Sequence, residues 1–140
     1  MVRLLVLGAL LSGCAAFAPP YQAEADRMAT ESFSATSELL AKAELGEFVT
    51  PQSYPPAVDT YAKAISGMET ARLLASTGGT ATEAAETAKA AQLAVIDACL
   101  TNIKSLAGLH RSGGLIPGTG ATQPVRVACD QAVRAIQALR

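Results

Sequence analysis

Three cysteines, Cys14, Cys99 and Cys129, and one histidine, His110, are the side chains of this 140-residue chain best suited to nucleophilic, redox or metal chemistry. Their spacing excludes most of it. A tetrahedral metal site takes four convergent ligands, usually in closely spaced pairs. Here Cys99 and Cys129 are thirty residues apart, with His110 alone between them. A serine or cysteine nucleophile needs a histidine base within reach. The one histidine falls within residues 108–120, which carry five glycines and Pro117 and read as a mobile surface loop with His110 exposed on it. Glycine-rich loops cradle phosphate when a strand precedes them and Lys-Ser/Thr follows, and neither condition is met. The acidic residues fall on the polar faces of predicted helices, so no carboxylate pair is set aside for proton transfer. The expectation is a protein that is not an enzyme, with no metal and no cofactor.

The strongest local signal lies at the start. Arg3 is followed by an apolar run over residues 4–11, then by the small residues Ser12 and Gly13. That is the three-part layout of a secretory signal. Extended through Ala18, the apolar stretch reaches about fifteen residues before Pro19 and Pro20, short of the roughly 20 that a spanning helix needs.

Leu11-Ser12-Gly13-Cys14 resembles the lipobox of bacterial lipoproteins. The resemblance implies diacylglycerol on the Cys14 thiol, cleavage before Cys14 by signal peptidase II, and acylation of the new amino terminus by a palmitate-type chain. Residues 1–13 are then a signal peptide, residues 14–20 the lipidated cysteine and a tether, and residues 21–140 a single helical domain. Three acyl chains hold a protein firmly where one alone is marginal. Ala15, not aspartate, follows Cys14, which in the enterobacterial pattern implies the outer membrane over the inner, with the domain facing the periplasm. Residues 15–20 reach about 20 Å when extended, too short to cross an envelope compartment.

Without the leader, Arg3 is lost, leaving 11 − 1 = 10 basic residues against 12 acidic ones over 140 − 13 = 127 residues. That length suits one domain with a real core. The near-neutral balance offers no basic face for nucleic acid. Half the residues are apolar while aromatics make up only 4 %, a composition in which alanine-rich helices pack closely.

Four helices are predicted. The first spans about residues 20–45, with Tyr21, Ala25, Met28, Ala29, Phe33, Ala35, Leu39, Leu40 and Ala43 on one arc. Thr50-Pro51 and Tyr54-Pro55-Pro56 oppose helix continuation, so the second is expected over residues 57–76. Ala57, Val58, Tyr61, Ala64, Ile65, Met68, Ala71 and Ala75 share its inner face, and Gly67 allows a neighbour to approach. After Gly78-Gly79, Thr80-Ala81-Thr82-Glu83 has the capping-box pattern and starts a third helix that should end at Gly108. Its stripe is Ala84, Ala88, Ala91, Val95, Ile96, Cys99, Ile103 and Leu106. The fourth runs from Thr122 or Pro124 to Leu139, with Val125, Cys129, Ala132, Val133, Ile136 and Leu139 inward.

Cys99 and Cys129 thus fall on the inner faces of consecutive helices. In an antiparallel hairpin their depths from the connecting loop are about 12 Å and 8 Å. An exported compartment is oxidising, so a Cys99–Cys129 disulfide is expected. The reading is an all-α, up-and-down bundle of about four amphipathic helices, attached to a membrane by lipidated Cys14. Its expected role is structural or in binding another envelope protein. The alternative is a bundle whose interior holds a lipid or small hydrophobic ligand. That alternative requires a cavity of some hundreds of Å³.

Overall fold

The computed structural model describes residues 18–140. The predicted signal peptide and Cys14 lie outside the described residues. The chain forms α1 (Ala23–Glu44), a 3-10 turn (Pro51–Ser53), α2 (Tyr54–Thr77), α3 (Glu83–Gly113) and α4 (Gln123–Gln137), with no strand among the described residues. Each helix packs on the next and α4 closes on α1, giving an up-and-down four-helix bundle.

Its core runs the length of the bundle, from Ala25, Ala75 and Ile136 at one end to Phe48, Leu115 and Val125 at the other. Small side chains bring α1 and α2 together. A Cβ placed on Gly67 would lie 3.1 Å from Ser32 Cβ and 3.2 Å from the Met28 carbonyl. The same closeness lets the buried Ser32 hydroxyl donate to the Ala64 carbonyl at 2.5 Å.

Helix α1 begins at Ala23, three residues after the expected start at Pro20, and three further boundaries differ from the sequence reading, each for a local reason. Helix α2 begins at Tyr54 and takes Pro55 and Pro56 into its first turn, where a missing N–H has no partner to lose. Helix α3 is capped by Thr82 and not Thr80: Thr82 is extended at φ −141°, ψ 155°, and its hydroxyl accepts from the Ala85 amide at 3.1 Å. Thr80 instead donates its hydroxyl to the Glu86 carboxylate. Capping at Thr82 leaves Glu83 and Glu86 in the first turn, where the helix end favours negative charge.

Helix α3 also passes through Gly108 and ends five residues later. An interior glycine costs about 1 kcal/mol relative to alanine, an amount offset here by burial of Leu106, Ala107 and His110 around it. The stop is Gly114, at φ +80°, with its amide returning to the His110 carbonyl at 3.0 Å. A Cβ there would collide with the Val49 backbone. No other residue type fits this close approach between the two loops at that end.

The stripe of α3 also departs from the prediction in its first half. Ala85 and Gln92 face inward, whereas Ala84 and Ala91 are exposed. Buried Gln92 donates to the Ala135 carbonyl of α4 at 3.4 Å. Further along, Ile96, Cys99, Ile103 and Leu106 are buried as expected. Cys99 and Cys129 are joined as a disulfide between α3 and α4, their Cα atoms 4.6 Å apart.

Candidate functional site

His110 is the residue the sequence misplaced most. It sits inside α3, fully buried, and is not on an exposed loop. Its ring lies against Phe48 at 4.4 Å, edge-on to Tyr54 at 5.4 Å, and beside Tyr61 at 5.8 Å between centroids. Its Nε2 is 2.8 Å from Ser53 Oγ and its Nδ1 3.2 Å from the Tyr61 hydroxyl. Three segments remote in sequence therefore converge on one imidazole: the α1–α2 connection, the start of α2 and the end of α3.

The protons in this cluster have one consistent arrangement. Ser53 donates its hydroxyl to the Thr50 carbonyl at 2.5 Å, which leaves its oxygen to accept from Nε2–H. The unprotonated Nδ1 then accepts from Tyr61. In this tautomer His110 is a donor to Ser53 and not its base, the reverse of what a serine nucleophile requires. The opposite tautomer would leave the buried Tyr61 hydroxyl proton without an acceptor. Desolvation pushes the Tyr61 phenol well above its ordinary value, so it remains a proton donor. Burial holds the His110 imidazole below its ordinary value, favouring the neutral ring that the hydrogen bonds describe. These contacts tie the α1–α2 connection and the start of α2 to the end of α3.

Above it lie the two loops that close this end of the bundle. The Leu115 amide donates to the Phe48 carbonyl at 2.5 Å, and Pro117 packs beside Gly46. From these loops Leu45 is 78 % exposed and Ile116 62 %. Val49, Val58, Leu109 and Val127, on the loop and adjacent helix turns, are exposed as well. These are six of the eight large apolar side chains exposed among the described residues. The remaining two, Tyr21 and Leu73, belong to the opposite end.

That opposite end is where the chain enters. Pro19, Pro20, Gln22, Ala75, Gly78 and Leu139 surround a hollow of only about 10 Å³, space for one water at most. Beside it Asp26 is buried on α1, an exception to the expectation that every carboxylate lies on a helix surface. Burial raises its pKa, but hydrogen bonds from Tyr21, Arg140 and Gln137 outweigh that and hold it below the ordinary carboxylate value.

The roomier hollows are open to solvent. One of about 340 Å³ is lined by Pro19, Ala88, Ala91, Val95, Ala135 and Leu139. Another of about 170 Å³ lies over Phe48, Ser53 and Ala57. Among the described residues no group of three or more His, Cys, Asp or Glu side chains could hold a metal ion. No described helix is long and apolar enough to cross a membrane.

Of the predicted site residues, Cys99 and Cys129 are brought together, and Cys14 lies outside the described residues. The His110 cluster was missed, although a signal for it existed. Ile96, Cys99, Ile103 and Leu106 step by three, four and three, and the next step of four lands on His110. No protein family, curated protein or solved structure matches this chain.

Proposed function

We propose that this protein is a lipoprotein of a bacterial cell envelope, anchored through acylated Cys14 and serving a structural or protein-interaction role at the free end of its bundle. The observation that most supports this is the segregation of exposed apolar side chains. Leu45, Val49, Leu109 and Ile116 stand at the end opposite Pro19 and Pro20. Proline-bearing chain ties the other end to the anchor, so the apolar end is directed away from the anchoring bilayer and toward the compartment. Among its charged neighbours Glu44 and Arg126 neutralise one another at 2.6 Å, and exposed Glu47 and Arg111 add one charge of each sign. An uncharged apolar surface of another envelope protein fits it best. The outer membrane, facing the periplasm, is the proposed site of attachment, on the strength of Ala15 after Cys14.

Packing favours this role over a lipid or small-ligand carrier. Side chains such as Leu39, Tyr61, Met68, Ile96 and Ile103 fill the interior, and the most enclosed hollows are about 10 Å³ each.

Two measurements test the proposal. Cys14→Ser should abolish incorporation of labelled lipid and release the protein from membranes; persistent lipid labelling would refute the anchor. A photocrosslinking residue at Ile116 should give discrete adducts in cells that vanish in Leu45→Ser/Val49→Ser, while the same probe at Leu73 gives none. Equal adducts from both ends would remove the assigned docking surface.

A further inference from the structure

We propose that His110 is an acid-sensitive latch on this docking end: proton uptake by its imidazole releases residues 45–53 from α3 and dismantles the apolar crown. The latch stands on the geometry of the His110 cluster; its consequence for docking rests on the interaction role proposed above.

The geometry accommodates one protonation state. With Ser53 donating to Thr50, Nε2–H donating to Ser53 and Tyr61 donating to Nδ1, every donor has an acceptor. A proton added at Nδ1 sets it head to head with the Tyr61 hydroxyl. The hydroxyl hydrogen must then rotate away so that its oxygen accepts from Nδ1–H, leaving that hydrogen without an acceptor among the described residues. The imidazolium would be fully buried, where an uncompensated charge is costly.

Among the described residues no counter-charge faces it. From α2 the titratable groups against the ring are the phenols of Tyr54 and Tyr61. From residues 45–53 it meets Phe48 and Ser53. The charges nearby are engaged elsewhere: Lys42 with Glu38, and Glu44 with Arg126. Glu47 and Arg111 are exposed. Ring faces attract a cation weakly, but burial prevails and the imidazole is held below its ordinary value.

The response to acid follows from this. Opening the 45–53 segment exposes His110 to water and restores a pKa near 6.5. The open form therefore binds a proton more readily than the closed one, and closure weakens as pH falls below that value. Ser53, Phe48 and the Phe48 carbonyl, which holds the Leu115 amide, leave α3 together. Both loops bearing Leu45, Val49 and Ile116 lose their support.

Amide hydrogen exchange of the Cys14→Ser protein, read at pH 7.5 and pH 5.5, tests the latch without any partner. After correction for intrinsic chemistry, protection of the Leu115 amide should fall by up to about tenfold at pH 5.5, the limit for one proton and an open-state value near 6.5. Amides of Leu39 and Met68, in the bundle centre, exchange through global unfolding, which also exposes His110; they should remain better protected than Leu115 at both pH values. His110→Phe fills the ring stack without a proton site and should abolish the pH dependence; His110→Gln serves the same purpose if the Phe variant misfolds. A Leu115 amide as well protected as the core at both pH values, or a pH dependence that persists in these variants, overturns the latch. Crosslinking from Ile116 at the two pH values separates the readings. If Leu115 opens with acid while the adducts are unchanged, the latch holds and the docking role of this end fails.

Discussion

Asp26 near the start of α1 and Arg140 beyond the end of α4 meet in a two-pronged ion pair: Arg140 Nε and Nη2 lie 2.8 Å and 2.5 Å from the same carboxylate oxygen. The pair is lopsided, with the Asp26 side chain 4 % exposed and that of Arg140 61 %. The carboxylate is therefore the member that depends on its partners. Tyr21 supplies a third donor at 2.8 Å. Replacing Asp26 with Asn should lower stability at pH 7 by about 1–2 kcal/mol, the usual cost of losing charge-assisted hydrogen bonds.

The same carboxylate sets a pH signature at the acid limit. Its folded value is depressed below 3.8, so its contribution is fully present above the unfolded value and disappears as pH falls through the folded one. The stability gap between the wild type and Asp26→Asn should thus be constant from pH 7 to about 5 and close below about pH 4. Urea denaturation across that range measures it. A gap that widens on acidification would reverse the assignment.

Thr82 and Thr80 form a paired test of where α3 begins. Thr82→Ala removes the hydroxyl that accepts from the Ala85 amide and should cost about 0.5–2 kcal/mol. Thr80→Ala removes only an exposed bond to Glu86 and should stay within about 0.5 kcal/mol of the wild type. Thermal denaturation of the two single variants, measured side by side, decides between the caps.

The bond between Cys99 and Cys129 closes a loop of 30 residues. On the chain-entropy account its reduction should cost roughly 3–4 kcal/mol and lower the melting temperature while leaving helicity intact, because the core spans all four helices. Protein carrying Cys14→Ser and isolated from the envelope should present no alkylatable thiol when denatured, and two after reduction. Free thiols in non-reduced material would contradict an oxidising destination.

How far the sequence disclosed this fold depended on how sharply each residue type reports its surroundings. Leu39, Leu40, Ile96, Ile103 and Ile136 are large and apolar, and each was placed on the face it occupies. In the first half of α3, Ala84, Ala85, Ala88, Ala90, Ala91 and Ala94 circle the helix, so periodicity had nothing to distinguish. Gln92 then hid the inward face, because its burial depends on a carbonyl of α4 that no local pattern reveals. Gly108 and Pro55-Pro56 look like breaks in the sequence, since local propensity cannot weigh the tertiary contacts that carry α3 onward or the free first turn that admits prolines. His110 was missed for the same reason: treating Gly108 as a stop removed it from a stripe it continues.

Pro19 is buried at the start of the bundle, so the chain leaves the domain from a fixed point. With Cys14 in the bilayer as proposed, the five residue steps from Cys14 to Pro19 extend at most about 17 Å, while α3, 31 residues long, measures about 46 Å. The crown carrying Leu45 and Ile116 then travels on a short leash attached to a stiff rod. It sweeps a shallow dome no more than roughly 60 Å above the lipid, and a partner inside that dome meets it at a high effective concentration without any gain in intrinsic affinity. Lengthening the leash would dilute the encounter, so under the proposed anchoring the spacing between Cys14 and Pro19 would set how far from a membrane this protein can act.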